Sequence, residues 1–503
     1  MVHPSSDGGD NVTNSSGSPQ LTDGVPLAAT NEGADNAAAA AADVDVPPAD
    51  EIRPYDHLIN EEADTDLFNK TFPGDAAIDD DDDADIKATA AAADTTGKHA
   101  ADKRTGFVHF DSNVDHFCLW DEKYEETPRR YSRTLERMKE LELIDRCQLI
   151  EPRRATEAEV LLVHTPEYLA KVASITSLID PARLEEESSK FDAVYFNPNT
   201  LEAAFTAAGS AIELAEAVYT GQVRNGFALV RPPGHHAMAA EACGYCVFNN
   251  VAIAAKALLQ KFEASGLQRI LIVDWDVHHG QATQQAFYND PRVLYASIHR
   301  YELGAFWPEL IESNYNFTGE GAGRRYNVNV PLNDTGLCDS DYLAIWHNLL
   351  LPIFYEYNPQ LVLVSAGYDA GDPLGEYCLS PNAYGQMTHM LGALANGRMI
   401  LTLEGGYSLK AIADSALECI KVLLGEPPGA LSLFNDSEEK KCDGPASPAS
   451  STDSGGNENI RSNSSSSIQL NECAIETLRN VIGYHSSHWP SLALNVDIPE
   501  TKL

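Results

Sequence analysis

From Phe107 onward the chain repeats one pattern: a short apolar run, a stretch of helical period, and then another apolar run. The runs are Phe107 to Phe110, Phe227 to Val230, Arg269 to Val273, Val293 to Ser297, Leu361 to Ser365 and Met399 to Leu403. Runs without polar alternation belong to strands covered on both faces, which is the condition of a parallel sheet. Between them, Leu201 to Thr220, Asn250 to Ala264, Tyr342 to Tyr355 and Leu409 to Leu424 carry helical periodicity. The alternation predicts an α/β fold, an open and mainly parallel sheet joined by right-handed crossovers with helices on both faces.

Composition decides how much of the 503 residues joins this sheet. Residues 1–104 lack periodicity and hold an Ala run and the Asp79 to Asp83 cluster, so they read as a disordered acidic tail. Within it, Tyr55 to Phe72 forms an apolar island, either more solvated tail or a segment for regulatory protein partners. Residues 105–434 form the main domain, 435–468 a low-complexity flexible insert, and 469–503 a helix and tail packing back on the domain. Acidic residues outnumber basic ones 75 to 35, for a net charge of -40. That balance repels phosphate backbones, arguing against direct nucleic-acid binding, and attracts basic partners such as Lys-rich tails. There is no signal-peptide pattern and no apolar run of the ~18 residues that suggest a membrane span. Nine cysteines lack a disulfide-framework spacing. Together these features predict a soluble protein with reduced thiols in the cytoplasm and/or nucleus.

Polar residues cluster at the ends of the apolar runs: Arg231-Pro-Pro-Gly-His235-His236, Asp274-Trp-Asp276-Val-His278-His279-Gly280, Ser365-Ala-Gly-Tyr-Asp369 and Glu404-Gly-Gly-Tyr407. Ligands of parallel sheets bind outside the carboxyl ends of the strands, so these segments should converge. In an extended chain Asp274, Asp276 and His278 fall in one row. Asp276 and His278 then reach one point, and Asp369 from another strand end completes three ligands for a divalent ion of zinc type. Three protein ligands leave a position open, which is the catalytic arrangement. Pro-Pro-Gly should aim His235 and His236 outward from the sheet as acid or base. Tyr407, after two glycines, is placed to donate to a developing oxyanion. Cys243-Gly-Tyr-Cys246 has no matching second pair and reads as pocket wall.

These four segments resemble the motifs of zinc-dependent histone deacetylases, and the likeness runs from about Gly106 to Pro428. Trp275, Gln281 and Ser297-Ile-His-Arg-Tyr-Glu302 resemble class II enzymes, especially the class IIb group containing the tubulin deacetylase. The resemblance implies the arginase/deacetylase-like fold and one zinc ion on Asp276, His278 and Asp369. It makes His236 the base that activates the attacking water, while His235 steadies charge and helps protonate the leaving amine. Tyr407 polarises the acetyl carbonyl together with zinc. It also implies a structural potassium ion at Asp274 and Ser297, with the backbone of Asp276, His278 and Ile298, and puts Arg130 near an acetate-release channel. The resemblance further places Gly244, Tyr245 and Trp307 along a lysine channel, with Leu374 at its mouth.

The substrate expected from the resemblance is acetyl-lysine in histones and/or other proteins such as tubulin. An acetylpolyamine deacetylase is the first alternative, but its class IIb member carries Glu where Leu374 stands here. A catalytically weak acetyl-lysine-binding scaffold is the second, and the retained Tyr407 argues against it, since weakly active class IIa relatives carry His there. A two-manganese hydrolase would need further carboxylates that are not apparent. Two departures bear on detail: the loop after Asp369 is about two residues short, and Ala282 replaces a usual Gly.

Overall fold

A computed structural model describes residues 105–431 and 470–495. The tail at 1–104, including its apolar island, and the insert at 435–468 lie outside the described residues. Eight strands form one sheet: β1 (Gly106–His109), β2 (Gln148–Leu149), β3 (Gly226–Leu229), β4 (Ile270–Asp274), β5 (Val293–Arg300), β6 (Asn327–Leu332), β7 (Leu361–Ala366) and β8 (Met399–Leu403). Their spatial order is β2-β1-β3-β8-β7-β4-β5-β6. Every neighbouring pair is parallel. The six strands read from the sequence are present within a residue or two, except that β5 continues to Arg300.

Both faces of the sheet are apolar because both residues of each strand pair find a helical layer. Phe227 and Leu229 of β3, with Leu271 and Val273 of β4, point into one core. Ala228, Ile270 and Ile272 point into the other. The first core is closed by helices α1 (Pro128–Glu140), α5 (Pro381–Leu391), α6 (Leu409–Leu423) and α7 (Glu472–His485). The second is closed by α2 (Thr200–Tyr219) and α3 (Asn250–Phe262), while α4 (Gln281–Phe287) follows the end of β4. The stretch read as one helix from Tyr342 to Tyr355 is two short helices joined by a π-turn at Trp346–Leu350.

Helix α7 lies against β6. The Thr477 hydroxyl donates to the Pro331 carbonyl at 3.0 Å, covering edge strand β6. β3, β8, β7 and β4 are adjacent, so the polar segments that follow them open on one end of the sheet.

Candidate active site

β4 ends at Asp274, and the chain beyond it is not extended. Asp276 N–H donates to Asp274 Oδ1 at 3.2 Å, and His278 N–H donates to Asp276 Oδ1 at 2.9 Å. These two side-chain turns, rather than the extended row expected from the sequence, bring Asp276 and His278 together. His278 Nδ1 lies 3.0 Å from Asp276 Oδ1 and 3.1 Å from Asp369 Oδ2. One ligand atom from each of the three residues fits within 4.8 Å of the other two. A carboxylate, an imidazole and a second carboxylate crowded in this way fit zinc, and the set leaves a coordination position unused by protein.

Close approach is possible because position 405 has no side chain. A Cβ on Gly405 would meet Asp276 Oδ2 at 2.4 Å and Asp369 Oδ2 at 2.5 Å, whereas the bare peptide donates its N–H to Asp276 Oδ2 at 2.9 Å. Burial, followed by the Asp276 charge, pushes the Asp369 carboxyl up to about 7. For Asp276, burial is outweighed by His235 and His278, and the carboxyl is held below its usual range. Burial also opposes the charged form of His278, but its bonds to the two carboxylates raise it to about 9. The site is therefore built to hold positive charge between two carboxylates.

The two histidines after β3 are pulled apart in character. His235 Nδ1 lies 3.0 Å from Asp274 Oδ2. Against the cost of burial, Asp274 and then Asp276 raise His235 to about 10, so its imidazole is charged. Burial, then the charges of His235 and His278, push His236 well below its usual value. His236 Nδ1 donates to Gln281 Oε1 at 2.7 Å, which leaves Nε2 as the proton acceptor. Both residues are buried, at 2% and 3% exposure. The segment is seated by Glu404, whose Oε2 accepts from Gly234 N at 2.6 Å and His235 N at 3.2 Å.

Tyr407 lies against Arg130, whose guanidinium is 4.9 Å from the ring centre. Arg130 Nε donates to the Gly406 carbonyl at 2.6 Å, and Nη2 donates to that of Glu404. Burial holds the Tyr407 hydroxyl well above its ordinary value, so it remains a donor. Behind Arg130 sits Glu126, which sequence reasoning missed. Its carboxylate accepts from Arg130 Nη1 at 2.9 Å, Arg231 Nε and Nη2 at 2.5 Å each, and the Tyr195 hydroxyl at 2.8 Å. Burial disfavours that carboxylate's charge, but the Arg231 and Arg130 guanidiniums win and hold it well below the usual range.

Aromatic side chains surround Tyr407 and the histidine pair. Tyr245 meets Tyr407 edge to face at 5.3 Å, and Trp307 meets His236 in the same way at 4.5 Å. Gly244 has φ +53°, and a Cβ there would meet Trp307 at 2.5 Å and His236 at 2.7 Å. Phe306, also missed, stacks on His278 at 5.2 Å. Trp307 is fixed by donating its indole N–H to Asp192 Oδ2 at 2.9 Å. Leu374 is 47% exposed, and the nearby Glu376 faces Arg300 at 3.4 Å. Asp274 and Ser297 are register partners of β4 and β5, and Ser297 Oγ lies 2.8 Å from His299 Nδ1. Cys243 and Cys246 flank the Gly244-Tyr245 turn, each bonded to the other's backbone. Both are free thiols pushed up by burial. Ala282 is buried in α4.

Comparison with known proteins gives the same reading. The histone deacetylase domain model matches residues 124–423. The polyamine deacetylase HDAC10 of Homo sapiens is 42% identical over 392 residues, 77% of this chain and 53% of its own length. The histone deacetylase HDA1 of Saccharomyces cerevisiae is 46% identical over 281 residues, 56% of this chain and 40% of its own. The chain thus spans about half the length of the curated relatives it matches. The crystal structure of the HDA15 HD domain superposes with a TM-score of 0.64 at 34% identity, covering 78% of this chain and 98% of that one. No described helix is long and apolar enough to cross a membrane. With its eight-stranded parallel sheet and convergent strand-end residues, the chain belongs to the zinc-dependent class II histone deacetylase family, whose members are hydrolases that deacetylate amides.

Proposed function

We propose that the protein is a zinc-dependent lysine deacetylase that hydrolyses N6-acetyl-lysine in histones and/or other proteins such as tubulin and releases acetate. The observation that carries this reading is the meeting of Asp276, His278 and Asp369 within 4.8 Å, beside the His235–His236 pair whose rings lie 3.8 Å apart. Zinc held by those three residues would polarise the acetyl carbonyl and acidify the attacking water. His236, with Nδ1–H committed to Gln281, takes the water proton at Nε2. His235, charged beside Asp274, steadies the developing negative charge and supplies a proton toward the leaving amine. The Tyr407 hydroxyl donates to the carbonyl oxygen as it becomes an oxyanion, a contribution of about 3 kcal/mol for one such donor.

Tyr245 and Trp307 favour the neutral acetylated chain over a hydrated ammonium, which would lose its solvation between the rings. Arg130, 4.9 Å from the Tyr407 ring, is proposed to receive acetate. The buried register pair Asp274 and Ser297, with the backbone of Asp276, His278 and Ile298, is the proposed seat of a structural potassium ion. Free thiols at all eight described cysteines suit a reducing compartment, the cytoplasm and/or nucleus. Residues 1–104 are proposed to engage regulatory partners.

At the mouth, Leu374 offers no carboxylate, and Glu376 faces Arg300. A cationic acetylpolyamine therefore finds no carboxylate at position 374, which favours acetyl-lysine peptides. The second reading, an acetylpolyamine substrate, draws support from the relatives named polyamine deacetylase. The test is kcat/KM for an acetyl-lysine peptide against an acetylated linear polyamine. We expect the peptide to be preferred by about tenfold or more, the worth of one charge-assisted contact. Faster turnover of the polyamine contradicts the peptide assignment.

A further inference from the structure

We infer that Asp372 is a positioning residue for Tyr407, fixing the peptide that carries the phenol. The inference rests on the proposed role of Tyr407 as oxyanion donor and adds what holds that donor in place.

Asp372 lies three residues after the ligand Asp369, past a single 3-10 turn, and is 2% exposed. Its two carboxylate oxygens face different loops. Oδ2 accepts from Tyr407 N at 2.7 Å and Ser408 N at 3.2 Å. Oδ1 accepts from Leu374 N at 2.9 Å and Gly375 N at 3.3 Å. A buried group meeting four N–H donors must accept only, which a carboxylate does and an amide cannot. Ser408 also caps α6 with its side chain, so the carboxylate sits at the positive end of a fifteen-residue helix.

Gly405 is tethered as well, its N–H donating to Asp276 Oδ2 at 2.9 Å and its carbonyl accepting from Tyr368 N at 3.1 Å, but it is Asp372 that holds the amide of Tyr407 itself. Arg130 holds the segment through the Glu404 and Gly406 carbonyls, and Asp372 holds it through the amides that follow. Between the two tethers stands Gly406, at φ +106°, where the chain turns to present Tyr407. A shift of an ångström in the phenol takes it out of hydrogen-bond range of a developing oxyanion. The turn that delivers Asp369 to Asp276 and His278 thus also sets where Tyr407 stands, and it reaches Leu374 at the channel mouth. The short loop after Asp369 joins three parts of the site through one side chain.

The test uses the full zinc-loaded chain and an acetyl-lysine peptide, comparing the parent, Asp372→Asn, Tyr407→Phe and the double variant. Asp372→Asn keeps the shape but turns an NH2 toward one pair of amides. Its kcat should fall about tenfold or more, with KM within about threefold and zinc content unchanged. Once Tyr407→Phe has removed the hydroxyl, adding Asp372→Asn should cost less than about twofold. A full second loss in the double variant, or an effect on KM alone, overturns the inference while leaving the oxyanion reading intact. Parent-like turnover by Tyr407→Phe would remove the oxyanion reading itself, and this inference with it. If Asp372→Asn does not fold, Asp372→Ser takes its place, and amide hydrogen exchange is followed in the parent. Tyr407 and Ser408 amides should be protected; exchange at the rate of open loop amides overturns the inference.

Discussion

Replacing Glu126 by Gln should destabilise the protein far more than any surface ion pair could. Glu126, Arg130 and Arg231 have side chains at 0% exposure, so the one carboxylate is the compensating charge for two desolvated guanidiniums. Gln keeps the volume, removes the charge and turns an amide NH2 toward donors that now have no acceptor. Removing one partner of a buried pair costs about 3–5 kcal/mol, chiefly from the charge left behind. The matched control is Glu426→Gln, which breaks a pair with Arg146 whose side chains are 44% and 38% exposed. That change should cost about 1 kcal/mol or less, because solvent screens the pair. Urea denaturation of the zinc-loaded full chain measures both, with unfolding followed by tryptophan fluorescence. Arg130 also holds the Gly406 and Glu404 carbonyls, so acetate release by Glu126→Gln should fall as well. A loss no greater than that of Glu426→Gln would refute the claim that these two guanidiniums are desolvated and depend on the Glu126 carboxylate.

Tyr407→Phe should lower kcat by about a hundredfold while zinc content stays at the parent value, since the phenol acts on the oxyanion and not the ion; unchanged acetate release would sink that role. Gly244→Ala should cost about 1–2 kcal/mol of stability for a side chain at positive φ and should also raise KM, because the new methyl meets Trp307 and His236; a parent-like KM contradicts the channel assignment. Acid should destabilise the fold well before ordinary surface carboxylates titrate. Burial lowers His164, His299 and His485 to about 4 and His116 to about 3. Their folded values lie below the unfolded value of about 6.5, so the unfolded chain binds more protons, and stability present above pH 6.5 is lost as pH falls toward 4. Four such groups give about 4–5 kcal/mol between pH 6 and 5, of which the Asp369 and Glu404 carboxyls, raised to about 7, return about half, and stability that is flat over that interval in urea titrations contradicts the account.

The sheet was readable because apolar strands must lie between two helical layers, and that demand is written locally. β6 escaped because Asn327-Val-Asn-Val-Pro-Leu332 alternates polar and apolar residues and contains a proline, which an edge strand tolerates and an inner one does not. β2 is two residues long and carries too little pattern. The break in the helix at Trp346–Leu350 left the apolar periodicity nearly intact, so the sequence read as continuous.

In the candidate site, the strand-end residues stood out as polar groups where apolar ones were expected. The residues that hold them did not. Glu126 and Arg231 are 105 positions apart, as are partners such as Asp192 and Trp307 at 115. An acidic residue in a loop looks like solvated surface until its partner is known. Gln281 was noted as a class II signature, but its bond to His236, which decides which ring nitrogen is basic, is a tertiary fact.

The most direct test of the central claim is a zinc titration of the chelator-stripped full chain, following acetate release from an acetyl-lysine peptide in the parent and in Asp369→Ala. The account predicts no turnover without metal, activity that rises in proportion to zinc and saturates at one equivalent, and neither tight zinc nor activity in Asp369→Ala. Turnover that survives chelation, or parent-like zinc uptake and acetate release by Asp369→Ala, would contradict it.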